Sequence, residues 1–215
     1  MGLTVSTGML ADYLEAGDDE AAEWIRNDIR VINEILKAHN LPAHEESESV
    51  PEMETQLEID GCPYSAVHYL RRFYAHVVKN PAWVPTRVPS GEDASDDPVL
   101  DDEELVVGSH LLCHSDCEGY YVPLEFDEVL ITEDLLEEAA GMIGSSYRLK
   151  SELELVAPKL GISLANGDLS PEEGARLNDE ICSDEGEFVT EKHVWLMLYE
   201  CARFSIEHKT LIVFN

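Results

Sequence analysis

Between Arg87 and Arg148 the chain carries seventeen Asp or Glu and not one Lys or Arg. No other feature constrains the fold as tightly, because burying a run of unpaired carboxylates would cost far more than the net stability of a whole domain. Such a stretch must face water or be met by cations from elsewhere in the chain. Just upstream the pattern inverts: Gly61 to Gly91 holds Arg71, Arg72, Lys79 and Arg87 and no acid. Charges sorted into blocks in this way describe surfaces that prefer particular partners.

The imbalance runs through the molecule, with 45 acids against 14 bases and a formal net charge of −31. That surface repels nucleic-acid phosphate and anionic lipid headgroups, which argues against nucleic-acid and membrane binding, and it attracts basic proteins, polyamines and divalent cations. Solubility, or adaptation to a salty cytoplasm, is the plainer account of the same charge. No apolar run approaches the ~18 residues of a membrane span. The five cysteines, an odd number with no leader-like segment ahead of them, are expected to be reduced thiols in the cytoplasm.

At 215 residues the sequence suits a single domain, 1–215, with a solvated acidic loop at 88–104. Ala22, Ile25, Ile29, Ile32 and Leu36 recur at three- and four-residue steps, which predicts an amphipathic helix from Asp18 to Asn40. Gln56 to Asp60 reads as a short strand, and Pro63 opens a second helix running to Lys79. Leu105 to His114 and Tyr120 to Phe126 alternate like the two arms of a hairpin, joined by a turn rich in Asp and Gly. Helical patterns follow at Thr132 to Met142, Ser145 to Leu160 and, after the cap Ser170, Pro171 to Ile181. A last helix, capped by Thr190, is apolar on nearly all sides and precedes a strand at Thr210 to Phe214. The expected architecture is α+β, mainly helical, with a small antiparallel sheet made by the 105–126 hairpin and the C-terminal strand.

Three groups of residues are candidates for function. On the 63–79 helix, Ser65, His68, Arg72, His76 and Lys79 line one side at helical spacing, with Arg71 adjacent, and form a potential anion-binding face. The plainer account is that the chain's own carboxylates, for example from the acidic loop, neutralise this stripe. The hairpin concentrates His110, Cys113, His114, Asp116 and Cys117, donors that suit Zn²⁺, although no paired Cys-x-x-Cys spacing is present. No cofactor is otherwise expected. The acids Glu92, Asp93, Asp96, Asp97, Asp101, Asp102, Glu103 and Glu104 form the third group, a candidate surface for a basic partner.

Gly61-Cys62-Pro63-Tyr64-Ser65 resembles the Cys-Pro-Tyr-Ser site of monothiol glutaredoxins, in which a thiol at a helix N-terminus is acidified. The five residues lack that family's apolar central strand before them. Pro63-Tyr64-Ser65, His68-Tyr69-Leu70-Arg71-Arg72 and His114-Ser115-Asp116 ahead of Gly119-Tyr120-Tyr121 resemble phrases of uncharacterised acidic bacterial proteins, a likeness that implies no activity. Taken together, the sequence favours an acidic cytosolic protein-binding module of the immunity or inhibitor type. The alternative is a small-molecule anion site, or a zinc enzyme built from the 63–79 helix and the 109–117 segment.

Overall fold

The computed structural model describes residues 2–57, 61–104, 108–131 and 142–214. Its centre is a five-stranded sheet of β1 (Val5–Thr7), β7 (Ile212–Phe214), β2 (Gly119–Val122), β4 (Met142–Ser145) and β3 (Leu130–Ile131), in that spatial order. Successive side chains of a strand point to opposite faces, and both faces here are apolar. Tyr121, Ile212 and Phe214 point into one core with Leu70, Phe73, Leu149 and Trp195. Tyr120, Val122, Ile143 and Val213 point into a second with Ile32, Ile35 and Leu36. The sheet is therefore sandwiched. On one side lies α2 (Asp19–Ala38), preceded by α1 (Met9–Ala16); on the other lie α3 (Tyr64–Lys79), α5 (Ser146–Val156) and α7 (Val189–His208).

The helix boundaries follow local chemistry. Asp18 caps α2, accepting from the Ala21 N–H at 3.0 Å. Ser145 caps α5 and Ser170 caps α6 (Pro171–Ser183), each accepting from the N–H three residues on. Pro63 sits one residue before α3 rather than at its first position. Likewise α7 begins at Val189, after Phe188 in a left-handed conformation, so Thr190 lies in the first turn and is not the cap.

The α+β, mainly helical class holds, and β7 is an inner strand between β1 and β2. The sheet, however, is mixed: β2 runs parallel to β4 and antiparallel to β7. The expected 105–126 hairpin is not formed by the described residues. Residues 105–107 lie outside the description, as do 58–60 of the expected strand and most of the helix at 132–142. From Gly108 to Glu118 the backbone makes turns instead of a strand, with His110, Leu111 and Leu112 buried in succession.

The expected acidic loop at 88–104 also departs from the prediction. Ala94–Asp96 makes a 3₁₀ turn and Pro98–Glu104 the helix α4, both packed on α3. Ala94 and Leu100 are the reason: each is essentially fully buried and pins the acidic run to the core.

Candidate functional site

The cationic stripe of α3 and the acidic stretch form one ion-pair system. Arg72 Nε donates to Asp97 Oδ2 at 2.7 Å, and His76 Nε2 lies 2.9 Å from the same oxygen. One turn on, Lys79 pairs with Asp102 at 2.6 Å. At the other end His68 Nε2 meets Asp116 at 2.9 Å. Partial burial would raise the Asp97 carboxyl, but His76, the Val99 N–H and Arg72 together hold it below the usual carboxylate range. His76 also stacks on Trp83, with ring centroids 4.7 Å apart. The chain's own carboxylates thus stand where an external anion would bind. Ser65 lies exposed at the start of the helix, away from these pairs.

Arg71 serves a different purpose. It is buried, and its guanidinium donates to three backbone carbonyls, those of Leu111, His114 and Ser115. The same segment has its donors satisfied by Glu152, whose carboxylate accepts from the His110 and Leu111 N–H groups and from Ser109 Oγ. Burial pushes the Glu152 carboxyl up to about 7 against these three donors.

The proposed metal donors are dispersed around this clamped segment. His110 Nδ1 accepts from the Ser145 N–H at 2.9 Å. His114 lies between the carbonyls of Ser115 and Tyr120, 3.0 Å from each, and stacks on Tyr121. Burial pushes both imidazoles down to about 4. Asp116 turns to His68, Cys113 packs against the main core and Cys117 is exposed. Among the described residues no three His, Cys, Asp or Glu side chains gather as a metal site. The glutaredoxin-like phrase fails on its thiol: Cys62 is buried, and burial pushes it up to about 11, the opposite of activation.

A cleft of about 400 Å³ beside Tyr69 is lined by Arg87, Glu92, Asp184 and Glu191. Arg87 lies along it, donating to the Gly186 carbonyl at 2.7 Å. Burial raises the Glu191 carboxyl, opposed by the charges of Arg72, Arg87 and Lys192.

Across the molecule, cations are spent on internal contacts. Nine of the fourteen Lys and Arg pair with carboxylates, and Arg71, Arg87 and Lys159 donate to backbone carbonyls. Glu92, Asp93, Asp96, Asp101 and Glu118 remain exposed, with no ion pair among the described residues. A second exposed group, Asp12, Glu15, Asp19, Glu20 and Glu23, lies on α1 and α2, beside the exposed Trp24. Sequence reasoning missed this group because it read the acids between the apolar positions of the 18–40 helix only as that helix's polar side. The signal was present, since no Lys or Arg precedes Arg26.

Fold and charge together define an acidic α+β protein that engages most of its few cations in contacts within the chain and leaves many carboxylates exposed. No helix among the described residues is long and apolar enough to cross a membrane. The chain belongs to the family described as "Putative DNA-mimic protein", whose model matches residues 1–214. No curated protein and no solved structure matches it.

Proposed function

We propose that this protein is a DNA mimic that occupies the DNA-binding face of a basic protein and keeps it from nucleic acid, as an immunity or inhibitor protein would. The observation that carries the reading is the pairing of most cations within the chain, which leaves the excess carboxylates without partners. It leaves a surface of carboxylates held by folded elements, where a simple excess of acid would leave flexible tails. The ridge over α3 illustrates the scale. His68 to Lys79 spans roughly 16 Å of helix at about 1.5 Å per residue. One DNA strand carries about five phosphates over that length, at about 3.4 Å each. The exposed carboxylates of the 92–118 stretch, Glu92, Asp93, Asp96, Asp101 and Glu118, supply a comparable charge. The reading places the protein in the cytoplasm.

The test is displacement. DNA-binding proteins from a cell extract are loaded on duplex-DNA resin and eluted with this protein at moderate ionic strength. Release of a small, defined set, lost steeply as salt rises, is the expected result. Polyglutamate of matched charge serves as the control. Release of the same proteins by polyglutamate at equal concentration would reduce the chain to a generic polyanion and end the proposal.

A further inference from the structure

Trp24 is 49% exposed on the outer face of α2 and belongs to none of the hydrophobic clusters. Glu20 lies one turn back on the same face, and Glu23 is its chain neighbour; both are exposed. The nearby cations do little to neutralise this face. Arg26 turns to Glu48 at 2.9 Å, and Arg30 reaches Glu23 only at 3.8 Å, with both side chains more than half exposed. A pair so long and so solvated leaves Glu23 available to a competitor.

A single exposed apolar side chain is ordinary, but an indole set among carboxylates has a specific chemistry. Its face attracts a cation, and the carboxylates beside it accept that cation's N–H donors. Guanidinium fits better than ammonium, because it is planar, weakly hydrated and able to stack while still donating at its edge.

We propose that this face of α2 docks an arginine of the basic partner, its guanidinium stacked on Trp24 and donating to Glu20 or Glu23. The partner class rests on the DNA-mimic reading; the anchor is a separate claim. The face lies across the sheet from the ridge on α3, so the two contacts are distinct. The wider carboxylate field speeds encounter, and the tryptophan supplies the short-range contact that charge alone lacks.

The experiment uses two peptides of equal charge, nona-arginine and nona-lysine, titrated calorimetrically into wild type, Trp24→Ala and Trp24→Phe. None of the substitutions alters net charge, and the position lies outside the core, so matched thermal midpoints provide the folding control. Wild type is expected to prefer nona-arginine, and Trp24→Ala to bind it about three- to fivefold more weakly, with the arginine preference gone. Trp24→Phe should retain part of the preference, and nona-lysine should bind all three proteins alike. Equal nona-arginine affinity in wild type and Trp24→Ala would overturn the anchor while leaving the mimic reading intact. Absence of salt-sensitive binding of either peptide to wild type would overturn both.

Discussion

Arg71 and Glu152 hold the same residue from opposite sides. The Leu111 N–H donates to Glu152 Oε2 at 2.7 Å, and the Leu111 carbonyl accepts from Arg71 Nε at 2.8 Å. A buried loop must satisfy its backbone without a ladder, and here two charged side chains from separate helices do so for residues 109–115. The loop then carries Asp116 to His68, so this clamp also positions one end of the acidic ridge.

Removing either side of the clamp should be costly. Arg71→Ala strands three carbonyls, and a loss of about 3 kcal/mol or more is expected from urea denaturation. Glu152→Ala strands the donors and should cost a similar amount. Because both act on one segment, the double variant should lose less than the sum of the two, by roughly 1–3 kcal/mol. Strict additivity would show that the two sides of the loop are held independently.

The pH dependence separates two opposing groups. Burial raises the folded Glu152 carboxyl to about 7 from its ordinary value of 4.5. The folded state therefore holds its proton more tightly, and this group's contribution falls as pH rises from about 4.5 to about 7. His110 and His114 are depressed to about 4 from 6.5, so the unfolded state takes up protons first and stability falls as pH drops through that window. Glu152→Gln removes only the first effect. Relative to that variant, wild type should lose up to about 3 kcal/mol between pH 4.5 and 7. A constant difference across that range would contradict the raised carboxyl.

Much of this fold is legible in the sequence, and the missing parts share a cause. The helix at Asp19–Ala38, the Ser145 and Ser170 caps and the C-terminal strand are written in local periodicity and capping chemistry. The run from Ser109 to His114 reads as a strand because consecutive apolar residues do not distinguish a buried strand from a buried turn. What makes it a turn is Glu152, some forty residues away, which no local pattern reveals. The acidic stretch reads as solvated loop by charge count, yet Ala94 and Leu100 were the two apolar anchors within it. The pairing of the α3 stripe with the chain's own acids follows from charge blocks alone; the choice of Asp97 as the carboxylate shared by Arg72 and His76 does not.

The Gly144 position tests the sheet. Tyr121 is its cross-strand neighbour, and a Cβ built on Gly144 would fall 2.4 Å from the Tyr121 ring. That ring cannot move freely, because it stacks on His114 at 4.1 Å and its hydroxyl donates to the His110 carbonyl at 2.8 Å. Gly144→Ala should therefore destabilise by about 1–3 kcal/mol through overpacking. Gly144→Ala combined with Tyr121→Leu should recover part of the loss. An unchanged urea midpoint for Gly144→Ala alone would refute the close approach.

Thiol reactivity should sort by burial. Cys117 and Cys182 are exposed and Cys113 is half-buried, whereas Cys62 and Cys201 are buried. With a thiol-specific chromogenic reagent at neutral pH, two groups should react quickly, a third more slowly, and the last two only on unfolding. Cys62 is the informative member, since its thiol is pushed up to about 11 by burial. Rapid labelling of Cys62 in the native state would restore the redox reading that the structure removes.

The acidic ridge should act through its field and contribute little to the fold. Glu92, Asp93, Asp96 and Asp101 make no ion pair among the described residues, whereas Asp97 and Asp102 fasten the segment to α3. Replacing the first four with Gln or Asn removes repulsion between like charges, so the thermal midpoint should hold or rise slightly. Asp97→Asn should instead lower it, because Arg72 and His76 lose their shared carboxylate and the N–H of Val99 loses an acceptor that was ionised. In the DNA-resin displacement assay the fourfold variant should act more slowly and show a shallower dependence on salt, since fewer charges are matched at encounter. Displacement identical to wild type in rate and salt slope would move the working surface away from the ridge, to the tryptophan-bearing face of α2.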